Sequence, residues 1–136
     1  MKLRLVIYIY LLPLLFYAQS SNTVGNATSI GDDCYLVTPS QDWQNGAVWF
    51  SDPLNLTEEF TIDLNINFGI YDSNGADGMV FVMQTVGTNL LGVAGGGLGY
   101  EGINPSLGVE MDTWQNTDMG DPFQDHISII SDGNVN

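Results

Sequence analysis

Residues 107–129, LGVEMDTWQNTDMGDPFQDHISI, join a strand pattern to a dense group of metal-ligating side chains. Up to Trp114 the chain alternates with a period of two, which predicts a strand with two different faces. The first face is formed by Leu107, Val109, Met111 and Thr113, and the second by Gly108, Glu110, Asp112 and Trp114. Because residues two apart on a strand point the same way, Glu110 and Asp112 project together, with their Cα atoms about 7 Å apart.

The loop after this strand adds more ligand atoms before another strand is predicted at 127–130. The added residues are Asn116, Asp118, Asp121, Asp125 and the chain's one histidine, His126. Carboxylates held this close repel and raise each other's pKa unless a cation lies between them. Oxygen ligands suit Ca²⁺, and a site with an imidazole suits a transition ion such as Mn²⁺ or Zn²⁺. The alternative is a solvated acidic loop, the usual meaning of scattered Asp and Asn. The pairing on a strand and the single histidine favour two adjacent ions.

The chain has very few basic side chains that could balance its acidic residues. The chain has 16 acidic residues and two basic ones, Lys2 and Arg4, with a formal net charge of −14. Such a chain repels phosphate backbones and anionic lipid, so nucleic acid and membrane surfaces are not expected partners. Clustered carboxylates without Lys or Arg need divalent cations instead. Cys34 is the single cysteine, so it cannot form an internal disulfide and is expected to fill a core position.

Residues 1–19 have the layout of a secretory signal peptide. A basic start is followed by an apolar run at 5–17, which is short for a membrane span, and then by small or polar residues where cleavage would occur. We therefore expect a secreted or cell-surface protein, with no membrane insertion after cleavage and a mature domain over 20–136. An uncleaved N-terminal anchor is the alternative, but no basic stop-transfer flank follows the apolar run.

The rest of the chain consists of short apolar segments separated by turn signals. Strands are predicted at 46–51 and 79–85, and the clearest alternation, from Phe60 to Ile70, predicts a long strand with one buried face. No segment keeps helical spacing over two turns without a Gly or Pro break. The expected fold is an all-β sandwich or jelly roll. Asp132-Gly133 predicts a tight hairpin turn without its returning strand, so the domain is expected to be incomplete at its C-terminus.

The acidic segment resembles the metal-binding signature of the legume-type (L-type) lectins, whose fold is the concanavalin A-like jelly-roll β-sandwich. The resemblance extends over residues 22–136. It implies that a transition-metal ion, usually Mn²⁺, is held by Glu110, Asp112, Asp121 and His126. It also implies that Ca²⁺ is held by Asp112, Asp121, the side chain of Asn116 and the main-chain carbonyl of Trp114. Asp118 and Asp125 fall outside the family's pattern and are expected to be surface acids.

Two upstream motifs agree with the same family. Ala76-Asp77-Gly78 is similar to the family's ADG motif, in which the Ala–Asp peptide bond is cis and the Asp accepts hydrogen bonds from sugar hydroxyls. The glycine-rich segment at 95–100 is similar to a loop that brings a backbone N–H close to the sugar, a role that we assign to Gly97, with Gly96 as the alternative. The implied function is carbohydrate binding, with a stacked indole ring. The residues assigned to it are Asp77, Gly97, Trp114 and Asn116.

Two other functions stay open. Some glycoside hydrolases on the same sandwich begin with a Glu-x-Asp strand pattern like that of Glu110 and Asp112, but Gln115 and Asn116 follow, so no nearby second acid is available. A structural or adhesive surface module would use the ions only to rigidify loops. The sequence favours a lectin that binds glycans or glycoconjugates and is not an enzyme. It leaves sugar specificity and oligomeric state open.

Overall fold

The computed structural model of the chain describes residues 20–71 and 75–135. The described chain is all-β apart from one 3₁₀ turn at Gly95–Gly97. Its strands are β1 (Ser21–Gly25), β2 (Thr28–Gly31), β3 (Cys34–Leu36), β4 (Gly46–Phe50), β5 (Gly78–Gln84), β6 (Ser106–Asp112) and β7 (His126–Ser131). The expected signal peptide, 1–19, lies outside the described residues. Within the part that is described, no helix is long and apolar enough to cross a membrane.

The largest sheet is antiparallel and has the strand order β5-β6-β7. In its register Gly78 lies opposite Asp112, and Asp112 lies opposite His126. One face of this sheet is almost entirely apolar: Met79, Phe81, Met83, Leu107, Val109, Met111, Ile127 and Ile129. The opposite face carries Glu110, Asp112 and His126. A sheet with one apolar face is typical of a layer in a β-sandwich.

Two smaller antiparallel sheets, β1–β4 and β2–β3, come from the first part of the chain. The indole N–H of Trp49 donates to the carbonyl of Leu90 (2.8 Å), and Nδ2 of Asn45 donates to the carbonyl of Gly92 (3.0 Å). Both hydrogen bonds are partly buried, which limits competition from water. They attach the β1–β4 sheet to the segment that leads into the glycine-rich loop.

The core lies on the same face of the large sheet as the acids. Tyr100 is 1% exposed and packs with Ile130 and Val135. Partly buried neighbours complete this cluster: Val80, Val82 and Met119. The hydroxyl of Tyr100 shares a 2.8 Å hydrogen bond with Ser106 Oγ and accepts one from the Gly133 N–H at 3.1 Å. Since Val80 pairs with Glu110 in the register, the core directly adjoins the acidic cluster.

Four predicted strands and the predicted turn are present. The segments expected at 46–51, 79–85, 107–114 and 127–130 correspond to β4, β5, β6 and β7. In the turn, Asp132 and Gly133 both have positive φ, and the Asn134 N–H donates to the carbonyl of Ser131 at 3.0 Å. Positive φ at both central residues is the conformation of a type I′ hairpin turn.

The prediction of a long strand between Phe60 and Ile70 is wrong. The structure has no strand there, and the alternating apolar side chains from Phe60 to Phe68 are 39–49% exposed. Period two creates an apolar face, but a strand also needs a neighbour to complete its ladder of backbone hydrogen bonds. Among the described residues no sheet includes this segment.

The predicted core position of Cys34 is also wrong, because the side chain is exposed. Cys34 begins β3, a three-residue strand that pairs only with β2. Every residue of β2 is exposed, so this small sheet encloses no core that the thiol could enter.

Candidate functional site

Strands β6 and β7 place most of the expected metal ligands side by side. Glu110 and Asp112 share one face of β6, and each is only 4% exposed. One ligand atom from each of Asp112, Asp121 and His126 lies within 4.8 Å of the others. Nε2 of His126 is 3.9 Å from Oε2 of Glu110. The structure therefore brings together all four residues that were expected to hold the transition-metal ion.

The loop at 113–125 wraps around the same acids through main-chain hydrogen bonds. The Trp114 N–H donates to Asp112 Oδ1, and the Asn116 N–H donates to Asp121 Oδ2, both at 2.7 Å. The carbonyl of Asn116 accepts from the N–H groups of Met119 (2.9 Å) and Asp121 (3.4 Å). Because both its N–H and its carbonyl are bonded, the Asn116 backbone is fixed beside the acids.

The side chain of Asn116 carries the unusual atom of this site. Its Oδ1 is buried and, alone among the buried side-chain polar atoms that the structure describes, has no hydrogen-bond partner. Leaving such an atom unpaired costs about 1–3 kcal/mol, so buried polar groups nearly always have a partner. The described residues include no Lys or Arg to supply one. Carboxylate and carboxamide oxygens beside an imidazole are donors that Ca²⁺ and Mn²⁺ take, so the residues fit these ions.

Burial makes the two carboxyl groups of β6 difficult to ionise. Desolvation raises the pKa of Glu110, repulsion from Asp112 and Asp121 raises it further, and His126 opposes the shift. Desolvation likewise raises the pKa of Asp112, against the lowering effect of its bond from the Trp114 N–H. A bound cation would favour the ionised forms of both groups.

Asp77 is held next to the same strand. The Ala76–Asp77 peptide bond is cis, as the resemblance implied. Thr113, the residue after β6, donates to the Asp77 carbonyl from both its N–H (2.9 Å) and its hydroxyl (3.2 Å). A Cβ on Gly78 would collide with the carbonyl oxygen of Met111, so the close approach of β5 and β6 requires glycine there. Burial raises the pKa of the Asp77 carboxyl.

Neighbouring glycines of the 3₁₀ turn face different parts of the molecule. A Cβ on Gly96 would lie 3.0 Å from both Cγ and Oδ1 of Asn116. A Cβ on Gly97, which is buried, would lie 2.9 Å from the carboxylate of Glu101 instead. The structure therefore places Gly96 beside Asn116. The assignment of the sugar-binding amide to Gly97 stays a prediction.

The sheets, the acidic cluster and the cis bond all agree with one known type of domain. The legume lectin β-barrel domain matches residues 16–136 of the chain. The chain belongs to the legume lectin family. The all-β jelly-roll fold expected from the sequence is thereby confirmed, and carbohydrate binding is the general property of this family, whose members usually bind metal ions.

The lectin domain is also similar to part of a larger protein. It is 32% identical over 112 residues to the pesticidal crystal protein Cry22Aa of Bacillus thuringiensis. The match covers 80% of this chain and 15% of that protein. The similarity therefore concerns one portion of the relative and not its whole activity.

Sequence reasoning missed two residues of the candidate site. Thr113 holds the Asp77 carbonyl, and the Met119 sulfur would lie 3.0 Å from a Cβ on Gly96. The only available signal for Thr113 was its position directly after Asp112. Both contacts join segments that are distant in the chain and meet only on folding. Thr113 and Asp77, for example, are 36 positions apart. The remaining expected residues lie at the surface: Trp114 is 44% exposed, and Asp118 and Asp125 are exposed, as predicted for surface acids.

Proposed function

We propose that this lectin domain is a secreted or cell-surface module that binds glycans reversibly and requires Ca²⁺ together with a transition ion, most simply Mn²⁺. The single observation that carries the metal dependence is the buried Oδ1 of Asn116, which has no partner among the described residues. It lies in a loop hydrogen-bonded to Asp112 and Asp121, where a divalent cation would provide the missing partner and neutralise the carboxylates.

The ligand set divides into two overlapping groups. Asp112 and Asp121 are shared, since one oxygen of each carboxylate accepts a hydrogen bond from a loop N–H and the other oxygen is left for an ion. Glu110 and His126 complete the group suited to a transition ion, because it contains an imidazole. The side chain of Asn116 and the carbonyl of Trp114 complete the all-oxygen group suited to Ca²⁺. When bound, the ions neutralise the carboxylates.

The sugar would bind between Asp77 and the 113–125 loop. The Asp77 carboxylate is partly desolvated, so it accepts hydrogen bonds from sugar hydroxyls with little competition from water. The Asn116 carboxamide and a backbone N–H from Gly97, or from its alternative Gly96, add further bonds. The exposed Trp114 ring supplies a stacking surface worth about 1 kcal/mol, so affinity for a single sugar is weak and tight binding requires several copies.

A glycan array with the full-length chain tests this function. Binding should appear with Ca²⁺ and Mn²⁺ and disappear in EDTA. Asp77→Asn should abolish it, whereas Asp125→Asn, the same change at an exposed acid outside the cluster, should leave it intact. Metal-dependent stability without any chelator-sensitive glycan binding would instead identify a structural module.

We propose further that the domain is not an enzyme. Glu110 and Asp112 are buried beside His126, an arrangement suited to holding an ion and not to flanking a glycosidic bond with two free acids. A panel of polysaccharides tests this point. Turnover that is lost in Glu110→Gln would show a glycoside hydrolase and overturn the proposal.

Secretion has a separate test. Expression of the full-length chain in a bacterial host should release a product whose N-terminus lies within about two residues of Ser20, as expected for a cleaved signal peptide. A product that stays attached to the membrane and keeps its N-terminus would support the uncleaved anchor.

A further inference from the structure

Gly96 is next to Asn116, and its backbone does not explain why a glycine stands there. Gly95 and Gly99 both have a φ of +67°, which disfavours any other residue. Gly96 has no positive φ, so an L-residue fits its backbone. The reason for glycine must therefore be the space that a Cβ would occupy.

That space is already lined on two sides by loop side chains. A Cβ at position 96 would lie 3.0 Å from Cγ and Oδ1 of Asn116 and 3.0 Å from the sulfur of Met119. Such contacts are closer than packed side chains normally tolerate, so a neighbour has to move. Met119 packs against the Tyr100 core cluster, which limits its movement in one direction.

The backbone of Asn116 cannot move easily either. Its N–H is bonded to Asp121 Oδ2 at 2.7 Å, and its carbonyl accepts from the Met119 N–H at 2.9 Å. A methyl group at position 96 is therefore accommodated mainly by rotating the Asn116 carboxamide. That rotation displaces Oδ1, the buried oxygen without a partner.

We infer that Gly96 is a positioning residue for the Ca²⁺ part of the site: the absence of a side chain at position 96 fixes the pose of the Asn116 carboxamide and so sets the affinity for Ca²⁺. The inference rests on the proposed function. It assigns to Gly96 a role that is separate from donating a backbone N–H to a sugar. It also separates the two ions, because Glu110 and His126 lie on β6 and β7, whereas the atoms nearest to a Cβ at position 96 belong to Asn116 and Met119.

The experiment compares ion affinities of full-length variants, with Ca²⁺ measured by calorimetric titration and Mn²⁺ by electron paramagnetic resonance. Gly96→Ala should weaken Ca²⁺ binding about 10-fold or more, in the range seen when residues that orient a ligand are changed. Mn²⁺ affinity of the same preparation should stay within about twofold, which also shows that the variant is folded. Equal loss for both ions, or no loss for either, would overturn the inference.

A double-mutant cycle tests whether the effect passes through Asn116. In an Asn116→Ala background, Gly96→Ala should cause no further loss of Ca²⁺ affinity, and a loss of the same size in both backgrounds would overturn the inference. Gly95→Ala is the matched control: a Cβ there meets nothing within 4 Å, so the variant is strained in its backbone but keeps its Ca²⁺ affinity.

The same measurements distinguish a variant that does not fold, a failure of the inference alone and a failure of the proposed function. If Gly96→Ala does not fold, the same comparison is made with Gly96→Ala in a Met119→Ala background, where the thioether contact is gone and any remaining Ca²⁺ loss is due to Asn116. If the unchanged chain binds Mn²⁺ and Ca²⁺ but Gly96→Ala does not differ from it, only the inference fails. If the unchanged chain binds neither ion, the proposed function fails with it.

Discussion

Asp112 is buried among other acids, so Asp112→Asn should change the sign of its effect on stability when the ions are removed. The substitution removes one negative charge and keeps the shape of the side chain. The Oδ1 of Asn still accepts the 2.7 Å hydrogen bond from the Trp114 N–H, so the loop loses no backbone contact. What changes is the charge. Without ions, the substitution removes the repulsion between Asp112 and the neighbouring carboxylates; with ions bound, it replaces a charged ligand by a neutral one.

The size of the repulsion follows from the distance between the carboxylates. Asp112 and Asp121 have oxygens within 4.8 Å of each other. Two unit charges at that separation repel by about 3.5 kcal/mol at an effective dielectric constant of about 20. Asp121 is partly exposed, and solvent screening lowers the effect to about 1–2 kcal/mol. In chelator, Asp112→Asn should therefore be more stable than the unchanged protein by about that amount.

Loading with ions should reverse this order. A ligand present at about 1,000 times its dissociation constant stabilises the folded state by about 4.1 kcal/mol. Asp112 is shared between the two proposed ions, so the variant should lose most of this stabilisation. Urea titrations in EDTA and in saturating Ca²⁺ and Mn²⁺ measure both free energies of unfolding. Asp118→Asn, the same change at an exposed acid, should shift neither curve appreciably.

The pH dependence of the chelated protein provides a second check on the same reasoning. The pKa values of Glu110 and Asp112 are raised above 4.5 and 3.8, so the folded state holds protons that the unfolded state has already released. The free energy of unfolding should therefore fall as the pH rises above these values, through the raised pKa values. With ions bound it should rise with pH instead, because the ligands must be deprotonated. Asp112→Asn being less stable than the unchanged protein in EDTA at pH 7 would refute the account.

Two other substitutions test the parts of the structure that flank the ions. Thr113→Val removes the 3.2 Å hydrogen bond from the Thr113 hydroxyl to the Asp77 carbonyl. It should weaken sugar binding severalfold, by the roughly 0.5–1.5 kcal/mol of one hydrogen bond, while ion affinity stays unchanged in calorimetric titrations. Equal weakening of sugar and ion binding would contradict the positioning role of Thr113. Tyr100→Phe leaves the Gly133 N–H without its partner in the core and should lower the free energy of unfolding by about 1–3 kcal/mol in urea titrations; an unchanged value would mean that water replaces the hydroxyl.

The part of the candidate site that the sequence could predict is the part that is local. Glu110, Asp112, Asn116, Asp121 and His126 lie within 17 consecutive positions, so strand alternation followed by one loop is enough to bring them together. The contacts that could not be predicted join segments far apart in the chain. They depend on the register of β5 against β6 and on the path of the glycine-rich loop, and neither leaves a mark in local composition.

The segment from Phe60 to Ile70 shows the opposite limit. Its alternation is the most regular in the chain, yet it forms no strand among the described residues. Periodicity reports which side chains would share a face if the backbone were extended, and it does not report whether a partner is available. β5 is less regular in pattern, but it forms because β6 pairs with it along its whole length.

In the proposed function, three consecutive residues connect ion binding to sugar binding. Asp112 is an ion ligand in the proposal, Thr113 holds the Asp77 carbonyl with two hydrogen bonds, and the Trp114 N–H is bonded back to Asp112 at 2.7 Å. Thr113 lies between Asp112 and Trp114 in the chain, so an ion that fixes both neighbours would also fix Thr113, and through it Asp77. Coupling between two binding equilibria is reciprocal: if the ions raise the affinity for a sugar by some factor, the sugar must raise the affinity for the ions by the same factor. The site is therefore expected to bind its ions more tightly in the presence of a glycan that the domain recognises. Of the proposed ion ligands, only Asn116 and Trp114 would touch that glycan directly.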